Sequence, residues 1–179
     1  KMIIKYPDGS QKEYQSGVKV SEITGDISQG LLRQSLGAVV NGEILGLDDK
    51  VYEDADFKVV KFEDKEGKEI FWHTSAHVMA YAISRLFPEA EFAIGPAIDT
   101  GFYYDIDLDH RFIEEDFKAI EDKMKEIAKK DLPVEKIEIS REEALKYFKE
   151  KGQDYKVELI NDLPADEKIT MYKIGDFLD

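Results

Sequence analysis

The clearest hydrophobic pattern along the chain lies between residues 72 and 87, where apolar side chains recur at steps of three and four residues. The apolar positions are Trp72, Ala76, Met79, Ile83 and Phe87. This spacing is typical of an α-helix with one buried stripe. Pro88 follows at once, and a proline cannot donate the next helical hydrogen bond. The pattern therefore predicts a helix over 72–87, about four turns long.

Shorter patterns before this helix predict a small mixed sheet. The sequence Pro7-Asp8-Gly9-Ser10 is typical of a β-turn between two strand-like segments, so it predicts a hairpin over 2–14. Asn41-Gly42 predicts a second hairpin over 38–45, because this dipeptide favours a type I′ turn. Residues 57–62 read as a closing strand.

Helical turns are predicted between the two hairpins. Ser21 can cap a short helix that ends at Ile27. Leu31, Leu32 and Leu36 indicate a further helical turn. The predicted order is therefore two strands, a helix, two strands and a closing strand, which describes a small sheet with one helix across it.

The rest of the chain mixes helices and strands. The stretch 63–69 is charged and contains a glycine, so it is predicted to be a linker, with a solvated hairpin tip as the alternative. Strands are predicted on both sides of Gly95-Pro96 within 90–106, and the aromatic run 102–104 is expected to alternate between two strand faces. Residues 155–160 fit either a strand or a short helix. The other predicted elements are a helix over 114–130, a strand over 134–139, a helix from Ser140 to Gly152 and a strand over 169–174.

Composition narrows the classes of protein. A chain of 179 residues with 42% hydrophobic and 36% charged residues is typical of one globular domain or two small ones. It has no cysteine, which excludes disulfides, a cysteine nucleophile and a thiolate metal site within these residues. No apolar run is long enough to span a membrane and no secretory signal is apparent, so the cytoplasm is the expected location. The net charge of −14 argues against a broad basic nucleic-acid footprint but allows a local contact to RNA.

Two of the three histidines form the sharpest chemical feature. His73 and His77 stand four residues apart, so a helix projects both imidazoles from one face. Such a pair can hold a metal or position a water molecule, although two ordinary polar residues at chance spacing would look the same. A zinc-protease helix carries a glutamate directly after the first histidine. Thr74 occupies that position here, which disfavours a protease of that type.

Two sets of motifs resemble known families. Residues 1–62 resemble a TGS domain, which has a β-grasp, ubiquitin-like fold, through Pro7-Asp8-Gly9-Ser10 and Val40-Asn41-Gly42-Glu43. Residues 1–179 as a whole resemble the N-terminal region of bacterial-type threonyl-tRNA synthetases. The motifs that carry the wider resemblance are His73-Thr74-Ser75-Ala76-His77, Ala93-Ile94-Gly95-Pro96, Gly101-Phe102-Tyr103-Tyr104-Asp105, Tyr155-Lys156-Val157-Glu158 and Gly175-Asp176-Phe177-Leu178-Asp179.

The resemblance implies an α+β architecture: a β-grasp domain over 1–62, then over 63–179 a mixed α/β editing domain of the threonyl/alanyl-tRNA synthetase type. It implies contact with the acceptor end of tRNA(Thr) and hydrolysis of mischarged seryl-tRNA(Thr). Carried over by motif, the catalytic residues are His73, His77 and Lys156. Tyr104 and Asp179 are the expected substrate-binding residues.

In one respect this sequence differs from the family pattern, and the difference limits these expectations. In the family a Cys-x-x-x-His segment follows the position of Asp179, so the sequence is interpreted as truncated within the editing domain. The ATP, magnesium and zinc of a threonine–tRNA ligase belong to a catalytic domain outside these residues. No metal or other cofactor is expected here, because two histidines alone make a weak zinc site. The fragment is expected to be a monomer that contacts the rest of the synthetase chain and no membrane, and the full-length protein a homodimer.

Three alternatives remain at this stage. The first is a non-catalytic RNA-binding or regulatory module of the TGS type. The second is a free-standing aminoacyl-tRNA deacylase, disfavoured by the absent Cys-x-x-x-His segment. The third is an unrelated metal-dependent hydrolase, disfavoured because the chain offers no cysteine and only one further histidine.

Overall fold

Contacts along the chain divide it into a first unit, Lys1–Trp72, and a second unit, His73–Asp179. The computed structural model describes all residues, 1–179. None of its helices combines the length and the hydropathy that crossing a bilayer requires.

The first unit is built on a five-stranded mixed sheet. Its elements are β1 (Met2–Lys5), β2 (Gln11–Tyr14), β3 (Val18–Lys19), α1 (Val20–Ile27), α2 (Gln29–Gln34), β4 (Ser35–Val40), β5 (Glu43–Gly46), β6 (Lys50–Val51) and β7 (Ala55–Lys61). The strand order is β2-β1-β7-β4-β5, with β1 parallel to β7 and the other neighbours antiparallel. Ile4, Ile23, Ala38 and Phe57 join sheet and α1 in one buried core. This arrangement confirms the predicted β-grasp fold.

Both predicted hairpins of the first unit are confirmed. Asn41 and Gly42 have φ values of 48° and 80°, as a type I′ turn requires. The predicted start of the first helix is wrong. Ser21 lies inside α1, and Lys19 occupies the N-cap position without a side-chain hydrogen bond. The further helical turn predicted from Leu31 and Leu32 is confirmed as α2, which Ser28 caps by accepting a hydrogen bond from the Leu31 amide, but Leu36 lies in β4 instead.

The predicted linker over 63–69 is also wrong, because α3 (Lys65–Leu86) begins within it and continues through the predicted helix of 72–87. The Lys68 amide already donates to the carbonyl of Asp64. Gly67 is needed for this course, since a Cβ atom there would lie 1.7 Å from the carbonyl oxygen of Lys61. The domain ranges 1–62 and 63–179 stay a prediction.

The second unit places helices against a small antiparallel sheet. After α3 its elements are β8 (Glu91–Phe92), β9 (Ala97–Ile98), β10 (Gly101–Phe102), β11 (Ile106–Asp107), α4 (Glu114–Lys129), β12 (Val134–Ile139), α5 (Arg141–Glu150), α6 (Asp154–Asp162), β13 (Ile169–Ile174) and β14 (Phe177–Leu178). The main sheet has the order β12-β13-β14, and β8/β11 and β9/β10 form two separate pairs.

Most predictions for this unit are confirmed. The strands 134–139 and 169–174 have the predicted bounds, α4 ends one residue early, and Ser140 caps α5 by accepting from the Glu143 amide. Residues 155–160, left open by the sequence, are helical within α6. The alternation expected over 102–104 is wrong, because β10 ends at Phe102 and leaves both tyrosines outside a strand.

The main sheet is covered on both faces. On one face Met171 packs with Ala144 of α5 and Ile160 of α6. On the other, Ile174 packs with Ile83 of α3 and other members of a second core. Because successive side chains of a strand alternate between faces, Tyr172 and Ile174 share the face that is directed towards α3.

Candidate functional site

The two predicted histidines lie together on α3, one turn apart. Their Nε2 atoms are 3.0 Å apart, and their rings meet edge to face. His77 is buried, and its Nδ1 lies 2.7 Å from Oδ2 of Asp179. Since a carboxylate only accepts, His77 donates through Nδ1. Between the two Nε2 atoms one ring donates and the other accepts; when His73 donates, its Nδ1 is left as the basic nitrogen.

Asp179 is the centre of the site. Asp179 follows β14 directly, and two reciprocal backbone hydrogen bonds with Tyr172, of 2.8 and 3.0 Å, hold it at the site. Its side chain is 5% exposed. While Oδ2 faces His77, Oδ1 accepts from the hydroxyl of Tyr104 at 2.7 Å and lies 2.8 Å from Nζ of Lys156. A buried carboxylate therefore joins the histidine pair to two further polar side chains.

Lys156 completes the cluster from α6. Its Nζ donates to the hydroxyl oxygen of Tyr104 at 2.6 Å and lies over the tyrosine ring, 5.1 Å from its centre. The five residues predicted from the sequence thus form one continuous chain of hydrogen bonds, although they come from four separate segments. The site residues are His73, His77, Tyr104, Lys156 and Asp179. Their roles stay predictions.

Two neighbouring residues hold Lys156 and Tyr104 in place. The Gln153 side chain accepts from the Phe92 amide and donates to the Ala90 carbonyl, both at 2.9 Å, so it docks the start of α6 along β8. Gly95 lies directly against the Tyr104 ring, and a Cβ there would be 2.4 Å from a ring carbon. The close approach of Gly95 to the ring and the two hydrogen bonds of the Gln153 side chain together determine where the Tyr104 hydroxyl meets the Lys156 amine.

Burial and charge set the protonation of the cluster. Burial lowers the pKa of His73 to about 4, with the neighbouring His77 acting in the same direction. Burial alone would raise the pKa of Asp179, but the hydrogen bond from His77 and the charge of Lys156 outweigh it and hold that pKa below its usual range. Burial, then the Asp179 carboxylate, raises the pKa of Tyr104. Near neutral pH the cluster therefore combines a neutral His73, a phenol and a carboxylate.

The lowered pKa of His73 makes the unfolding free energy depend on pH. Between the ordinary histidine pKa near 6.5 and the folded value of about 4, the unfolded chain binds more protons, so stability falls as the pH falls through this window. Allowing for solvent screening of a half-buried ring, we expect His73 to account for about 1–2 kcal/mol of this loss. Urea unfolding near pH 7 and near pH 4 measures it.

The variant that tests this pH effect is His73→Gln. It should remove part of the pH dependence of the unfolding free energy. Equal pH dependence in the wild type and in His73→Gln would contradict the assignment.

No group of three or more histidine, aspartate or glutamate side chains is arranged to hold a metal ion. The two facing Nε2 atoms offer at most a pair of ligands, fewer than the four of a structural zinc site. The absence of a stoichiometric metal stays a prediction, and elemental analysis that finds one zinc per chain would contradict it.

Tyr172 is a site residue that the sequence did not indicate. Its ring centre lies 5.0 Å from that of His73 and 4.9 Å from that of His77. The strand 169–174 was predicted, but nothing in its local pattern showed that this face meets the histidine helix. A second missed contact holds the same hairpin, where Tyr81 donates to Asp176 at 2.9 Å and Arg85 pairs with the same carboxylate.

Comparisons with known proteins agree with this architecture. The TGS domain family matches residues 2–61. The threonine–tRNA ligase of Clostridioides difficile (strain 630) is 57% identical over 172 residues, which cover 96% of this chain and 27% of that protein. The corresponding ligase of Finegoldia magna is 51% identical, covering 98% of this chain and 28% of its own length. That of Caldanaerobacter subterraneus is 48% identical, covering 99% and 28%.

The β-grasp sheet and the family match together make the N-terminal part of this chain a TGS domain. Over nearly its whole length, the chain is homologous to the N-terminal portion of threonine–tRNA ligases, a class of aminoacyl-tRNA synthetases. It spans little more than a quarter of the length of these relatives.

Proposed function

We propose that the chain is the N-terminal part of a threonine–tRNA ligase, and that its second unit removes serine from mischarged seryl-tRNA(Thr). The observation that carries the proposal is the buried cluster in which Asp179 joins His77 to Tyr104 and Lys156. A merely structural core seldom contains so many connected ionisable groups, whereas hydrolysis of an ester needs them.

The proposed reaction compensates for the limited ability of one binding pocket to distinguish serine from threonine. Serine is threonine without one methyl group, and a missing methyl changes binding by only about 1–3 kcal/mol. A pocket that holds threonine therefore also accepts serine at some rate. A second site that admits serine and excludes the additional methyl can remove the error by hydrolysis.

Each group in the cluster has a role in this hydrolysis. The neutral His73 orients a water molecule and accepts its proton as the water oxygen attacks the ester carbonyl, while His77 and Asp179 hold the imidazole in position. Lys156 stabilises the negative charge that develops on the carbonyl oxygen, or relays a proton. The bond between the carbonyl carbon and the ribose oxygen then breaks, and that oxygen takes up a proton. Tyr104 and Asp179 contact the substrate.

The remaining parts of the proposal concern the whole protein. The TGS domain contacts the acceptor end of tRNA(Thr). ATP, magnesium and zinc serve the aminoacylation domain elsewhere in a cytoplasmic homodimer, and residues 1–179 alone form a monomer without aminoacylation activity.

A non-catalytic RNA-binding or regulatory module is the second candidate, favoured by the TGS match over residues 2–61. Such a module needs no cluster of buried ionisable groups. Replacing His73 and His77 separates the two candidates, because an RNA-binding module should keep its affinity whereas an editing site should lose hydrolysis.

The test is hydrolysis of seryl-tRNA(Thr) and threonyl-tRNA(Thr) by residues 1–179 and by the protein extended past Asp179. We expect the extended protein to release serine and to spare threonine. Hydrolysis by residues 1–179 as well would mean that His73, His77 and Lys156 suffice. If neither protein cleaves either ester, the editing proposal is wrong and the RNA-binding candidate replaces it.

A further inference from the structure

Tyr172 on β13 contacts three of the five site residues. Its ring meets that of His73 edge to face, at an angle of 73° and with the ring centres 5.0 Å apart. The same ring lies over that of His77 at a tilt of 32° and a distance of 4.9 Å. Its main chain donates to Asp179 at 2.8 Å and accepts from it at 3.0 Å. One residue therefore adjoins both imidazoles and the segment that carries the carboxylate.

The Tyr172 ring belongs to neither of the hydrophobic cores that cover the two faces of the sheet. Its neighbours on β13 do, because Met171 packs with residues of α5 and α6, and Ile174 packs with residues of α3. The Tyr172 side chain is also only half-buried. Within the second unit the ring therefore packs against the histidine site rather than as part of either core.

The imidazole of His73 needs a contact of this kind. His77 has hydrogen-bonding partners at both ring nitrogens, whereas His73 is held only through Nε2. The last side-chain torsion of histidine has a broad energy profile, so moderate rotations of the ring are cheap unless packing opposes them. Such rotations displace Nδ1, which is the nitrogen that does not face His77. In an enzymatic reaction, a displacement of about 1 Å can lower the rate about 100-fold.

We propose that Tyr172 is a positioning residue for the hydrolysis, and that its ring holds the imidazole of His73 with Nδ1 directed at the attacking water. This inference rests on the proposed editing function. Tyr172 acts through His73 and does not contact the reacting atoms. It also adds a residue that none of the sequence motifs contains.

The experiment measures kcat and KM for seryl-tRNA(Thr) hydrolysis in three variants, with whichever protein length is active. Tyr172→Leu removes the ring but keeps an apolar side chain on the strand, and Tyr172→Phe keeps the ring. Phe148→Leu is the matched control, because it removes a buried aromatic ring from the core on the opposite face of the same sheet. Amide hydrogen exchange along β13 measures how far each variant is destabilised.

We expect Tyr172→Leu to lower kcat about 10- to 100-fold, because the proton acceptor is misplaced in the transition state. The KM should change by less than about twofold, since the ring does not contact the substrate. Tyr172→Phe should keep the wild-type kcat. Phe148→Leu should also keep it, although that variant loses packing in its own core.

A second readout does not depend on activity. NMR signals of the imidazole protons are compared in the wild type, Tyr172→Leu and Tyr172→Phe. Loss of the ring should shift the signals of His73 and His77, which lie against it. The third histidine, His110, packs against two phenylalanine rings instead, so its signals should stay in place. Tyr172→Phe should leave the signals of all three histidines close to those of the wild type.

Several results would overturn the role of Tyr172 and leave the editing function standing. One is an active wild type together with an unchanged kcat, or unchanged His73 signals, in Tyr172→Leu. Another is an equal loss in Tyr172→Phe, which would assign the effect to the hydroxyl, or in Phe148→Leu, which would assign it to stability. If the wild type hydrolyses no seryl-tRNA(Thr) at either protein length, the editing function fails and the inference about Tyr172 fails with it.

Discussion

Replacing Lys156 with methionine should reduce the rate of seryl-tRNA(Thr) hydrolysis by about 10²–10³-fold. Methionine keeps most of the volume of the side chain but removes the charge that lies 2.8 Å from Asp179 and 2.6 Å from the Tyr104 hydroxyl. Loss of one group that stabilises a developing oxyanion typically costs a factor of this size. Single-turnover hydrolysis of seryl-tRNA(Thr), with whichever protein length is active, measures the change.

Two further variants make this prediction sharper. Lys151→Met removes a lysine just before α6 that lies over the ring of Tyr147 and has no hydrogen bond or ion pair with a site residue, so it should leave the rate unchanged. Lys156→Arg separates the two roles proposed for Lys156. A guanidinium keeps the charge but does not release a proton near neutral pH, so partial activity indicates charge stabilisation and no activity indicates proton relay. Unchanged hydrolysis in Lys156→Met would contradict both roles.

The elements with strong local signals were predicted best. Asn41-Gly42 specified its turn because few other residue pairs adopt two successive positive φ values. Strand 134–139, in which apolar and charged residues are interspersed, lies between Pro133 and Ser140, and strand 169–174 ends directly before Gly175. The start of α3 could not be read in this way. Its first turn is charged and contains Gly67, and only the close approach to Lys61 shows why a glycine is helical there.

The residues of the candidate site likewise fall into those that a local pattern indicated and those that it did not. The spacing of His73 and His77 is a local property, so the sequence alone indicated that pair. Tyr104, Lys156 and Asp179 lie far apart in the chain, and only the resemblance to a family brought them together. Tyr172 was missed because its contact depends on which face of β13 meets α3, a result of packing that no local pattern contains.

Removing the carboxylate of Asp179 should destabilise the second unit by about 3–5 kcal/mol. The reason is that a complete buried ion pair contributes little to stability, whereas a buried charge that has lost its partner is strongly destabilising. In Asp179→Ala, the amine of Lys156 would lose its carboxylate partner at a site where it is 16% exposed, and both His77 Nδ1 and the Tyr104 hydroxyl would lose their acceptor. Amide hydrogen exchange along β13 measures the stability of this unit.

Asp176 provides a matched comparison within the same hairpin. It also accepts from a tyrosine and pairs with a basic residue, Arg85, but its side chain is 68% exposed. Because water can solvate the partners that remain, Asp176→Ala should cost no more than about 1 kcal/mol. Similar losses for the two variants would mean that burial does not determine the cost. In that case Asp179 would not be the electrostatic centre of the site, and its contact with Lys156 would be one surface ion pair among others.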